Sequence, residues 1–217
     1  MVFPAGRIAV VVRIAGFLVC SPFQAFAYAT MTGSIGYALA LAYIPAAAGF
    51  VGLASRPLSD VIANRERPRS ELSGKGAIVG MVAVFAALLV FVPHDTDRTK
   101  LAAVFFAGAL AYYALGKIGC VALGCCRAEA PFETYVSLPV LETVASLALG
   151  ALALASLYAT PRVRLIAFVV IALAFACLRV LSRCVRGASW PVALRQLDAL
   201  AAFIVALSVA LAAIAAE

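Results

Sequence analysis

Charge is scarce in this sequence. Only 12% of its 217 residues are Asp, Glu, Lys or Arg, and His94 is the lone histidine. A soluble domain carries about a quarter charged residues, so a solvated outer surface is excluded. The six cysteines are too dispersed for a disulfide scaffold. The same scarcity of charge excludes disorder, and no repeat of the ~20–50-residue kind is present. What fills the chain instead is apolar: 65% of residues are hydrophobic and the mean hydropathy is +1.08. One soluble core cannot hide that much apolar surface. The composition points to an all-α, polytopic integral membrane protein forming a single transmembrane domain over residues 1–217.

Basic residues outnumber acidic ones by 17 to 10, a net charge of +7. In a soluble protein that excess would suggest nucleic acid. Here there is no basic helix and no aromatic-rich sheet pattern, so no nucleic-acid partner is expected. The excess fits membrane topology and anionic lipid headgroups.

A membrane span needs about 20 mostly apolar residues. Seven segments meet that requirement: A from Ile8 to Thr30, B from Ile35 to Ser55, C from Gly76 to Pro93, D from Leu101 to Cys126, E from Leu138 to Thr160, F from Leu165 to Ser182 and G from Leu197 to Ala216. Residues 1–34 read as a first helix. The small-residue patterns at Ala25-Phe26-Ala27 and Ala27-Tyr28-Ala29 leave a signal segment as the alternative.

If all seven segments span, loops alternate sides, and the unusual polar residues fall on one of them. Lys75 opens C; Lys117, Cys120, Gly124, Cys125 and Cys126 close D; Glu142 opens E; Arg179, Arg183 and Arg186 close F; Gln196 opens G. The opposite side holds His94, Asp95, Asp97, Arg98, Lys100, Arg162 and Arg164. Ionisable groups within spans are costly and usually face a cavity or the bundle interior. Their convergence suggests a polar site open to one leaflet.

Arg179, Arg183 and Arg186 are spaced four and three residues apart and share a helix face. Three such cations need an anion between them, and guanidinium forks fit phosphate. Arg183 and Arg186 fit equally well as side chains reaching interfacial water. Gly116, Gly119 and Gly124 admit close approach of a lipid or another helix. The C-x4-C-C spacing of Cys120, Cys125 and Cys126 is not that of a structural zinc site, and no histidine lies on that side. No metal and no organic cofactor is expected, nor a Ser-His-Asp arrangement.

Gly116-Lys117-Ile118-Gly119-Cys120 through Gly124-Cys125-Cys126 resembles the G-R-I-G-C/N-F-x-x-G-C-C-x-G signature of bacterial prolipoprotein diacylglyceryl transferases. Ser73-Gly74-Lys75-Gly76 resembles the family's opening of the third helix, and Pro139-Val140-Leu141-Glu142 that of the fifth. Leu178-Arg179 to Arg186-Gly187 resembles the close of the sixth helix, and Gln196 the opening of the seventh. Together these cover Ser73 to the C-terminus.

The resemblance implies a multi-pass protein of the bacterial plasma membrane. It implies transfer of a diacylglyceryl group from phosphatidylglycerol to the cysteine thiol of a prolipoprotein signal peptide. By that likeness the catalytic residues are Arg179, Lys117, Lys75 and Glu142. Arg179 and Lys117 hold the phosphate, Glu142 orients the cations and Lys75 stands where some members place a histidine base. Gly119, Cys120, Gly124, Arg183, Arg186 and Gln196 line the substrate. Several positions depart from the pattern: Lys117 replaces Arg, Arg183 replaces Glu, and Ala128 replaces the final Gly. These departures keep open a catalytically divergent protein that binds phospholipid or a partner.

Overall fold

The computed structural model describes residues 5–53, 74–93, 95–122 and 137–186. They form six long helices: α1 (Ala5–Thr32), α2 (Ile35–Leu53), α3 (Gly74–Val90), α4 (Arg98–Ala122), α5 (Leu138–Ala155) and α6 (Pro161–Cys184). A 3-10 turn, Ser156–Tyr158, ends α5. No strand occurs among the described residues. Segment A is one helix through its small-residue patterns, and segment G lies outside the described residues.

Among the described residues, five stretches are long and apolar enough to cross a membrane: Ile14–Thr32, Ile35–Gly52, Arg98–Val121, Leu138–Tyr158 and Pro161–Cys184. The third helix has 17 residues, at the short end of what spans a bilayer. Several apolar helices of this kind fit a multi-pass membrane protein. Side-chain placement fits too. Large apolar residues such as Leu18, Phe26, Val144, Ile166 and Leu173 point outward, as a lipid-facing perimeter requires. Charged Lys117, Glu142 and Arg164 are buried.

Helix α4 is the centre of the bundle. More than half of its span is buried, against a third or less for the other four spans. It packs extensively on α1 and α5, while α2 pairs with α1 and α3. Aromatic rings knit the core: Phe85 of α3 stacks on Phe105 of α4 at 4.0 Å, and Phe106 on Phe168 of α6 at 5.3 Å.

Between α1 and α2 the chain reverses in two residues, with Gly33 at φ 65°, a conformation that favours glycine. The α2–α3 contact is backbone against backbone. A Cβ on Gly52 would lie 2.0 Å from the Gly76 carbonyl oxygen, and one on Gly80 2.6 Å from that of Ala48. Small residues drive such close association in lipid.

Segment F starts earlier than its apolar run implies. Pro161, with its fixed φ, suits the first helical turn, so α6 takes in Arg162 and Arg164. The cost of a buried guanidinium there is met by a clasp. Arg164, 2% exposed, donates through Nη1 to Asp97 Oδ2 at 2.8 Å, and through Nε and Nη2 to the carbonyls of Ser156 at 3.2 Å and Ala159 at 2.8 Å. Nη1 also meets the Thr99 hydroxyl. Asp97 Oδ1 accepts from the N–H groups of Thr99 and Lys100 at 3.1 and 3.2 Å, capping α4. One carboxylate thus joins the N-termini of α4 and α6. What the sequence presents as a leftover set of loop charges is an organised second polar cluster.

Candidate functional site

At the opposite end of these helices, the C-terminal part of α4 meets the first turns of α5 and the close of α6. Glu142 sits there, fully buried at 0% exposure. Two cations share its Oε2: Lys117 Nζ at 2.5 Å and Arg186 Nη2 at 2.8 Å. Its Oε1 accepts a hydrogen bond from the Tyr113 hydroxyl at 3.0 Å. That hydroxyl in turn accepts from Arg179 Nη1 at 2.9 Å. Lys117 and Arg179 lie 5.3 and 5.4 Å from the centre of the Tyr113 ring, within cation–π range.

Local sequence explains the placement. Tyr113 and Lys117 are one turn apart on α4, on the face turned to α5. Pro139 opens α5, which fixes Glu142 in the following turn. Arg179 and Arg186 lie two turns apart on the trace of α6, Arg186 just past the helix end. Thr143 and Ser146 donate back to the carbonyls of Pro139 and Glu142 at 2.8 and 2.7 Å, so they satisfy themselves and leave the carboxylate to its cations. Burying this carboxylate is tolerable only because cations and a hydroxyl accompany it.

The structure therefore brings together Lys117, Glu142, Arg179 and Arg186. Two expected details change. Arg179 does not reach Glu142 directly, because the Tyr113 hydroxyl stands between them. Arg186 is not simply a side chain reaching water; it is 18% exposed and holds Glu142. Arg183 is exposed, Gly119 is buried and Cys120 is half-buried. At Gly116 a Cβ would meet nothing within 4 Å among the described residues, so no described helix packs closely on it. The side chain of Lys75 and residues Gly124 and Gln196 lie outside the described residues. The helix bearing Lys75, α3, packs chiefly on α2, rather than on the three helices that make the cluster.

Tyr113 is the site residue that sequence reasoning overlooks. One signal was present: it lies four residues before Lys117, so the two share a face. Among the described residues, no group of three or more His, Cys, Asp or Glu side chains has a metal-binding arrangement.

A separate cavity of about 20 Å³ lies between α1, α2, α3 and α4, lined by Ser21, Gln24, Leu41, Pro45, Met81 and Phe105, among others. It has room for one water molecule. Gln24 closes one wall by donating to the Val104 carbonyl at 3.3 Å.

The chain matches no known family model, no curated protein and no solved structure.

Proposed function

We propose that this chain is a phosphatidylglycerol-using transferase of the bacterial plasma membrane, similar to the prolipoprotein diacylglyceryl transferases. The observation that carries the reading is the gathering of Lys117, Arg179 and Arg186 around Glu142 and Tyr113 at one end of the bundle. Cations of this kind, placed at a membrane interface, suit the phosphate of an anionic lipid.

In the proposed reaction an acceptor thiolate bonds to the terminal glyceryl carbon of the diacylglyceryl group. The C–O bond to phosphate breaks, and glycerol phosphate leaves with the electron pair. The thiol proton passes to a base, for which Lys75 is the candidate. Arg179 and Lys117 would neutralise the charge that develops on the leaving phosphate, a form of electrostatic stabilisation. Gly119, Cys120, Gly124, Arg183 and Gln196 are proposed to line the lipid and the prolipoprotein signal peptide.

A second reading is phospholipid binding without transfer. It is favoured by Lys117, whose ammonium is already ion-paired with Glu142 and lacks the two-pronged grip of the arginine it replaces. Complementation of a strain depleted of its own transferase separates the two. Rescue of growth with lipid attached to a prolipoprotein supports transfer; selective phosphatidylglycerol binding without rescue supports the second reading.

A further inference from the structure

Among the described residues, Arg186 uses half of one guanidinium edge. Its Nη2 donates to Glu142 Oε2 at 2.8 Å, while its Nε, on the same edge, is buried and makes no hydrogen bond to any of them. That edge is built to grip an oxyanion through both nitrogens. Glu142 does not fill it, because its oxygens are shared out. Oε2 also serves Lys117 at 2.5 Å, and Oε1 serves the Tyr113 hydroxyl at 3.0 Å. One planar carboxylate is thus spread over donors from α4 and from the end of α6. A buried N–H without a partner is expensive, so this edge favours an acceptor that reaches both nitrogens.

A phosphodiester is a better occupant of this edge. Its two non-bridging oxygens can meet Nε and Nη2 together, with the same charge that Glu142 carries. We infer that Glu142 is a resident stand-in for the ligand: a phosphodiester headgroup takes the Nε/Nη2 edge of Arg186, and the Glu142 carboxylate yields that edge to it. Tyr113, bound to the other carboxylate oxygen, retains Glu142 nearby. This rests on the phospholipid reading above and adds an internal competitor to it. It also makes Arg186 a direct headgroup contact. Lipid selectivity follows from charge. A headgroup that carries a quaternary ammonium beside its phosphate brings a cation toward Lys117 and Arg186, whereas a glycerol headgroup does not.

The test is a titration of the purified full chain with dioleoylphosphatidylglycerol in mixed micelles, with phosphatidylcholine as the comparison. The wild type should prefer phosphatidylglycerol. Glu142→Gln, which removes the competing charge and keeps the shape, should bind it about tenfold more tightly, the scale of one charge-assisted bond. Arg186→Lys, which keeps the charge and loses the edge, should bind it about tenfold more weakly. Millimolar inorganic phosphate should leave lipid binding unchanged; displacement by it overturns the lipid assignment.

A wild type without preference between the two lipids brings down the phospholipid reading itself. A selective wild type whose Glu142→Gln variant binds no more tightly brings down only the stand-in. Should that variant not survive purification, infrared difference spectra of the wild type decide. Phosphatidylglycerol should shift the carboxylate stretching bands, and phosphatidylcholine should not. Unchanged bands on binding phosphatidylglycerol mean that Glu142 never yields, which refutes the inference.

Discussion

Replacing Arg164 with methionine tests whether the clasp at the far end is structural. The side chain is 2% exposed, and its three nitrogens serve Asp97, Thr99 and the carbonyls of Ser156 and Ala159. Methionine keeps much of the apolar stem and removes every one of these bonds. Hydrogen bonds from a charged group contribute about 1.5–3 kcal/mol each, so losing the two to the Ser156 and Ala159 carbonyls alone costs about 3–5 kcal/mol. At roughly 2–4 °C per kcal/mol for a chain of this size, the melting temperature of the detergent-solubilised protein should fall on the order of 10 °C.

Asp97→Asn should do far less. The Asp97 side chain is 36% exposed, so solvent screens its share to roughly 0.2–1 kcal/mol, and the amide oxygen can still cap α4. Thermal unfolding followed by circular dichroism gives both numbers. Near-equal losses in the two variants, or an Arg164→Met protein that melts with the wild type, would refute this account. Phosphatidylglycerol binding should be unchanged in Arg164→Met, since the cation cluster lies at the other end of the helices.

Four further outcomes are expected. Burial alone would raise the Asp97 carboxyl, but hydrogen bonds from Arg164, Thr99 and the Lys100 N–H outweigh it and set it below the usual carboxylate value. Its contribution is therefore whole above the unfolded-state pKa of about 3.9 and is lost as pH falls through the lowered folded value; melting curves from pH 6 downward should show an acid loss that shrinks in Asp97→Asn. Arg179→Ala should insert normally and lower phosphatidylglycerol binding by about tenfold or more, the scale of one charge-assisted hydrogen bond; unchanged binding and transfer would make Arg179 a structural partner of Tyr113. Gly52→Ala should destabilise the protein by about 1–3 kcal/mol through forced separation of α2 and α3, whereas Gly116→Ala, whose Cβ meets none of the described residues within 4 Å, should be neutral or slightly stabilising; equal melting points of the two variants would contradict the packing. A reporter fused after Glu217 should be cytoplasmic, because the resemblance to the prolipoprotein diacylglyceryl transferases implies that the side of Lys117 and Glu142 is external, and seven alternating spans then put the C-terminus inside; an external C-terminus overturns the assignment, and it is what the positive-inside rule would give from the Lys and Arg that cluster on the Lys117 side.

The helices were legible because lipid imposes one rule on every span: about 20 apolar residues. The meeting of Lys117 with Glu142 was legible too, since loop alternation alone puts both on one side. Tyr113 was not. In a helix already rich in rings, next to Tyr112, its one signal, the four-residue spacing to Lys117, does not stand out until its hydroxyl is seen between two charges. Arg164 was misread for a different reason. An apolar run marks where hydrocarbon begins, whereas Thr160 and Pro161 mark where the helix begins, and the two differ by a turn. The role of Arg186 was hidden because a guanidinium past a helix end can equally reach water or fold back, and only the position of Glu142 decides.

The close approach of α2 and α3 has a mechanical consequence. Gly52 faces Gly76 and Gly80 faces Ala48 with no room for a Cβ, so a slide of one residue would drive Ala77 or Met81 into the partner backbone. This pair cannot shear. Helix α6 is held differently: it meets α4 through long side chains rather than close backbones, with Phe168 stacked on Phe106 and Arg179 bonded to Tyr113. Arg164 pins one of its ends, and the Glu142 cluster holds the other through Arg186.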